Sequence, residues 1–336
     1  MTPPVVPDGP PPRVTVITPA FDVAPYLAET MQAVLAQTMA DLEYLVVDDG
    51  SSDDTVAVAT SLAQEDVRVR VLEGEHAGSS AARNLGLREA RSPYVAFCDG
   101  DDRWEPRFLE RALAVLEEAP EQVGAVFVAS RRVDVAGTPL DDPPKLGLGD
   151  YDAVRTLAGN CPQGNGSCLL LRRSTFAEAG LFDVDLRSGV DLDMWMRIHL
   201  LSRTPLFRYV PEPLVDWRVR PGAISRDETG RVRALDEIFT RYGSVLSPAE
   251  RARARRWPAV LAFYAGEDDT ARRWARQVTA GDRWYFLRDV DGVVLASFLL
   301  LGGARGRWLR TFVARRVTAP VRARRERRLA AGGSIH

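Results

Sequence analysis

Tyr94-Val95-Ala96-Phe97-Cys98-Asp99-Gly100-Asp101-Asp102 joins an apolar run to three carboxylates. The run, residues 94–98, reads as a buried strand. Acids crowded at a strand end repel one another unless a cation neutralises them. Hard oxygen ligands suit Mg2+ or Mn2+, which in turn hold phosphate oxygens. The segment therefore suggests a site for a metal-bound nucleotide diphosphate, set against the plainer reading of an acidic turn between strand and helix.

On either side of this stretch, strand and helix patterns alternate. Residues 13–18 are rich in β-branched side chains and predict a first strand; residues 42–47 predict a second, ending at Asp48-Asp49-Gly50, and 67–72 a third. Helical periodicity covers residues 26–37, with Leu27, Met31, Val34 and Leu35 apolar. Ser52-Asp53-Asp54-Thr55 has the capping side chains of a helix start, the helix running to about Ala63. Helices are expected at 79–90 and at 106–118, the second with proline in its first turn. Such alternation with short loops predicts an α/β fold, a mostly parallel sheet with right-handed crossovers. Ligands of these sheets bind beyond the carboxyl ends of the strands, so Asp48, Asp49 and Asp99 to Asp102 should converge on one crevice.

After Val123 the alternation breaks. Residues 126–129 and 131–135 read as two strands, with a turn at Ala136-Gly137-Thr138. Residues 141–149 read as a mobile loop, 167–171 as a strand and 191–201 as a helix. From about Arg231 the chain turns helical and arginine-rich.

At 336 residues the chain has room for a large domain and an appendage. Its net charge of −2 conceals an asymmetry: residues 1–230 hold 22 Lys+Arg against 36 Asp+Glu (−14), and residues 231–336 hold 22 against 10 (+12). The acidic part should meet a metal and the basic part an anionic surface or the acidic part itself. Three cysteines without CxxC spacing fit a reduced cytosol, and the three histidines form no ligand cluster. The proline-rich residues 1–12 read as a disordered arm rather than a signal peptide. The longest apolar stretch, 293–301, is about half of what a membrane-spanning helix needs.

No GxGxxG and no GxxxxGK[ST] occurs, which argues against dehydrogenase and NTPase readings. Several segments carry two readings each. Asp48-Asp49-Gly50-Ser51-Ser52 is either a capping turn or a base- or ribose-binding acid. Gly78-Ser79-Ser80-Ala81-Ala82-Arg83-Asn84 is either a surface arginine with ordinary small-residue packing or a helix start open to an anion or base, with Arg83 facing the crevice. Asp191 at a helix start is either a macrodipole partner or a general base. Trp217-Arg218-Val219-Arg220-Pro221-Gly222-Ala223-Ile224-Ser225 is either a surface loop or a flap whose cations meet phosphate.

Taken in order, residues 14–22, 36–38, 45–55, 78–86, 94–104, 180–183, 191–197 and Trp217-Arg218 resemble glycosyltransferase family 2, inverting enzymes of the GT-A fold. The resemblance covers about residues 13–228 and implies a Rossmann-like central sheet flanked by helices. It also implies nucleotide-sugar contacts at Pro19, Phe21, Asp49, Arg83, Asp99, Arg218 and Arg220. Asp99 and Asp101 match the DxD motif, with Asp101 the closest ligand of a Mn2+ or Mg2+ ion, and Asp191 matches the catalytic base. Two positions depart from the pattern: Val190 stands where a glutamate often precedes the base, and Arg220 where a histidine often follows the flap arginine. An arginine cannot ligate a metal but can pair with a diphosphate.

The resemblance implies transfer of a hexose from a nucleotide-diphosphate sugar, UDP-linked first, to a glycan, lipid-linked or small-molecule hydroxyl in polysaccharide, glycolipid or cell-envelope glycan synthesis. The domains expected are the arm at 1–12, a catalytic domain at 13–230 and a helical extension at 231–336. Ten arginines between Arg305 and Arg328 follow the apolar stretch, so residues 292–328 are expected to touch the inner face of a membrane peripherally, the protein being otherwise cytoplasmic. A solvated tail is the competing reading; nucleic acid is not expected as a partner, since no binding motif accompanies the charge. A nucleotidyltransferase and an inactive sugar-nucleotide-binding module are the alternative functions.

Overall fold

Strand β1 (Val14–Ala20) is an inner strand of the site-bearing sheet. It pairs in parallel with β2 (Leu42–Asp48) on one side and β4 (Tyr94–Phe97) on the other, and β2 pairs in parallel with β3 (Val69–Glu73). The computed structural model describes residues 10–140, 156, 166–186, 188–220 and 227–281. β2 is buried along its whole length, as a parallel strand covered on both faces must be. The order β3-β2-β1-β4 reverses direction between β1 and β4. A crevice opens at the carboxyl ends of strands where the order reverses, so the exits of β1 and β4 share it.

Helices α1 (Ala24–Leu35), α2 (Thr55–Glu65) and α3 (Ser79–Glu89) make the crossovers. α1 buries Leu27, Met31 and Val34 at helical spacing, and Val23 and Ala24 are held by Thr55 and Asp53. α3 lies unusually close to β1: a methyl group on Gly86 would sit 2.5 Å from Cγ2 of Ile17.

The other half of the sheet departs from the expectation. β5 (Arg103–Trp104), α4 (Phe108–Glu118) and β6 (Val123–Val133) follow the acidic turn. The two strands expected at 126–129 and 131–135 are the one strand β6; the turn at Ala136-Gly137 is present, with Gly137 at φ 82°. Residues 167–171 divide into a 3-10 turn, Gly166–Cys168, and β7 (Leu169–Arg172). α5 (Ser174–Ala179), α6 (Val190–Leu201) and β8 (Leu206–Arg218) complete this unit, so Trp217 and Arg218 are strand residues and not part of a flap.

β8 escapes a sequence reading because Pro211 and Pro213 interrupt it. They fall where its register with β6 shifts, from Val128↔Val210 to Ala129↔Pro213 and Ser130↔Val215. Prolines in a sheet concentrate at such irregularities, having no N–H to offer the ladder. β7 runs antiparallel to β4 and β6, β8 parallel to β6, and β5 antiparallel to β8, closing an eight-stranded, mostly parallel sheet.

The chain divides into two compact units, Met1–Pro221 and Gly222–His336. In the second, α7 (Glu228–Tyr242), α8 (Pro248–Ala254), α9 (Arg256–Ala265) and α10 (Asp268–Gly281) bury Val232, Ile238, Phe239, Phe263 and Trp274. The division expected at 230/231 falls inside α7. No helix among the described residues is long and apolar enough to cross a membrane. The arm at 1–9, the loop at 141–149 and the basic stretch at 292–328 lie outside the described residues.

Candidate active site

The turn from Asp99 to Asp102 is held from inside. Thr30 of α1 donates its hydroxyl to the carbonyls of Gly100 (3.2 Å) and Asp102 (2.7 Å), and the Asp102 amide donates to the Asp99 carbonyl. Gly100 has no room for a side chain, since a Cβ would lie 2.9 Å from Val23 and 3.4 Å from the Pro19 carbonyl. Asp102 points inward, almost fully buried, and accepts from the Ser167 hydroxyl (2.6 Å) and the Arg218 amide (3.0 Å). Ser167 also accepts from the Asp99 amide (2.9 Å). Asp102 is thus a brace, which leaves Asp99 and Asp101 as the carboxylates that keep some solvent contact.

Each of these two carboxylates already meets an arginine. Asp99 Oδ1 accepts from Arg83 Nη2 (2.7 Å). Asp101 Oδ2 accepts from Arg220 Nε. Burial raises the Asp101 pKa from its ordinary value; Arg220 opposes this and Asp99 adds to it. Two hard oxygen donors are what Mg2+ or Mn2+ takes from a protein when a donor's phosphates and waters complete the shell, so the residues present fit such an ion in kind. Among the described residues no group of three or more carboxylate, histidine or cysteine side chains is arranged to hold a metal.

Arg83 is the link to the candidate base. It is buried on α3, lies over the Phe182 ring at 5.7 Å, and sits next to Gly166 together with Asp191 Oδ1. Asn84 beside it locks the geometry, exchanging two hydrogen bonds with the backbone of Phe182 (2.9 and 2.8 Å). Burial works against the Arg83 charge, but Asp99 and Asp191 outweigh it and raise its pKa. Asp191 opens α6 after Gly189, which has the left-handed φ of 72°. Its residue keeps some surface and the Gly166 backbone hydrogen-bonds to the carboxylate, yet among the described residues the enclosed Oδ1 has no hydrogen-bond donor. Burial pushes its pKa up to about 6; Arg83 holds it down and Asp99 adds to the rise. Its helix neighbour Asp193 instead pairs with Arg197 (2.9 Å), which ties α6 to the carbonyls of Ala179 and Leu181.

At the exits of β1 and β2 lies a second group. Phe21 is exposed and its ring meets His76 at 4.8 Å, while Pro19 is half-buried beside the turn at Gly100. Asp49 accepts from the amides of Ala77 (2.9 Å) and Gly78 (2.8 Å), one to each oxygen, so its carboxylate shapes the loop into α3. His76 was not read as a site residue; it takes φ 54°, and its Nδ1 lies 2.9 Å from the Asp49 carbonyl.

Arg218, expected to reach phosphate from a flap, is buried at the end of β8. Its Nε donates to the Asp101 carbonyl (2.9 Å), Nη1 to the Val135 carbonyl (2.8 Å) and Nη2 to Glu29, with Tyr26 beneath it at 5.2 Å. All three nitrogens are engaged, so it positions the acidic turn from behind. Ser167 and Glu29, which help to build the turn, carry no sequence signal, because their partners are distant along the chain.

A mostly parallel central sheet flanked by helices, with its strand order reversing beside the acidic turn, is the architecture of GT-A glycosyltransferases. The mannosyltransferase PcManGT from Pyrobaculum calidifontis, solved with GDP-Man and Mn2+, superposes with a TM-score of 0.58 at 21% identity, covering 93% of this chain and 86% of that one. S. aureus TarS 1-349 with UDP-GlcNAc superposes with a TM-score of 0.54 at 16% identity, covering 86% and 80%. The chain belongs to glycosyltransferase family 2, whose model matches residues 15–180. It is 37% identical to the glycosyltransferase EpsJ of Bacillus subtilis (strain 168) over 241 residues, 67% of this chain and 66% of EpsJ. The matched region spans 30–36% of the length of several other curated glycosyltransferases.

Proposed function

We propose that this glycosyltransferase carries a hexose from a nucleoside-diphosphate sugar, UDP-linked first, to an acceptor hydroxyl with inversion at the anomeric carbon. The observation that carries the reading is Arg83 lying between Asp99 and Asp191, which joins the DxD turn to the candidate base across one crevice. The family match removes the ground for the nucleotidyltransferase alternative.

Asp101 and Asp99 would hold a Mn2+ or Mg2+ ion, which when bound supplies Lewis-acid stabilisation to the departing diphosphate. The Phe21–His76 ring pair and Pro19 offer a shelf for the nucleobase. Arg83 fixes the rotamer of Asp99. Asp191 accepts the acceptor's hydroxyl proton; a carboxylate with a pKa of about 6 is ionised at neutral pH and is a stronger base than an ordinary aspartate. As the hydroxyl oxygen bonds to the anomeric carbon, the bond to the diphosphate breaks on the opposite face. One displacement suffices, with no covalent sugar on the protein. The basic stretch 292–328 supports peripheral contact with an anionic membrane, where a lipid-linked or envelope-glycan acceptor would be found.

A thermal-shift screen of UDP-, GDP- and dTDP-sugars with Mn2+ should single out one donor, since a bound ligand raises apparent stability by mass action. Calorimetry should then show that Asp101→Ala loses metal-dependent nucleotide binding. Equal affinities of the variant and the parent would refute the assignment.

A further inference from the structure

The cation beside Asp101 is the chain's own. Arg220 Nε donates to Asp101 Oδ2, and neither side chain is sealed: about a quarter of Arg220 and a sixth of Asp101 remain accessible. The backbone that delivers Arg220 is fixed up to the preceding residue. The Arg218 amide bonds Asp102 Oδ1 (3.0 Å) and the Val219 amide bonds the Val133 carbonyl (2.9 Å). Arg220 is thus the first residue past the last of these anchors, with a long side chain and, among the described residues, one charged partner.

The other arginine pair of the site differs. Arg83 is buried on α3 over Phe182 and faces two carboxylates, so its position is set by packing.

Resting on the reading that Asp101 holds a divalent ion, we infer that Arg220 is an exchangeable counter-ion of Asp101, released to the donor's diphosphate when the metal takes its place. A guanidinium cannot ligate a metal, and Arg220 and the ion are both cations drawn to the one Asp101 carboxylate, so each weakens the other's hold on it. Without a diphosphate, the ion must bind beside a guanidinium that competes for the same carboxylate and has no other anion to turn to among the described residues. With a diphosphate present, the guanidinium gains two phosphate groups suited to its fork geometry. Metal and nucleotide therefore bind as a set, each removing the other's competitor.

The test is Mn2+ binding to the full chain, followed by the loss of the free-ion EPR signal, with and without UDP. Arg220→Gln should bind Mn2+ alone about threefold or more tightly than the parent, as expected when a partly exposed ion pair no longer competes. Saturating UDP should raise the Mn2+ affinity of the parent more than that of Arg220→Gln. Arg220→Lys, which keeps a cation able to reach Asp101, should stay close to the parent; this variant also guards against misreading a folding defect. Unchanged or weaker Mn2+ binding by folded Arg220→Gln would overturn the exchange. Asp101→Asn separates the two readings: if it retains full Mn2+ affinity, the metal assignment itself fails, whatever Arg220 does.

Discussion

At Asp191 burial has two consequences that pull in opposite directions. It lifts the pKa from 3.8 to about 6, which makes a better base, and it places an ionised group where, among the described residues, Oδ1 has no donor. Between about pH 4 and pH 6 the folded chain holds a proton that the unfolded chain has released, so this group's effect on stability worsens as pH rises and is fully present above pH 6. Asp191→Asn should therefore raise the Tm at pH 8 by a few degrees, with little difference at pH 4, while lowering transfer about 100-fold or more and sparing nucleotide binding. Scanning calorimetry at the two pH values, beside a transfer assay, checks both halves. In the parent, kcat/KM should fall below a midpoint near pH 6, with protonation of the base. The acids at 99–102 were legible as a cluster, but which of them braces and which faces the crevice was not. Asp102 turns inward because Ser167 and the Arg218 amide wait there, 65 and 116 positions away.

At the scale of elements, close approach decides two outcomes. Gly86→Ala improves helix propensity by about 1 kcal/mol on an isolated helix. In this fold the added methyl would strike Ile17, which is completely buried and cannot move aside, so a net loss of about 1–3 kcal/mol is expected by urea denaturation. Arg218→Gln should cost about 1–3 kcal/mol, because it takes the donor from the carbonyls of Asp101 and Val135 at a buried position, while Glu29 keeps its pairing with Arg103. A raised KM for the donor would accompany it, as the Asp101 backbone loses its support. The first four strands and their helices were readable because each is a continuous apolar run or a clean helical period. β5 has two residues and β8 carries prolines at its register shift, so neither displays a strand pattern, and both exist through pairing with distant partners.

At the scale of the whole chain, charge is the unused quantity. The acidic first part includes the candidate metal turn, and the excess of +12 beyond residue 230 suits an anionic surface or the acidic part itself. Vesicles containing anionic lipid should carry the full chain in a flotation assay, and removal of residues 292–336 should abolish this while leaving donor binding intact. Binding should weaken as salt shortens the Debye length to about 3 Å near 1 M. Flotation of the shortened chain equal to that of the full one would remove the membrane from the account.

Sequence by itself determined the α/β class, the family and the order in which acids follow strands, because apolar runs, helical periods and turn residues act over a few neighbouring positions. Tertiary structure alone decided that Asp191 stands near Asp99 through Arg83, that Arg218 is a buried support, and that Arg220 occupies the side of Asp101. Those facts depend on backbone folded from segments about a hundred residues apart, and on burial, which sets the ionisation of a carboxylate and has no local signature in the chain.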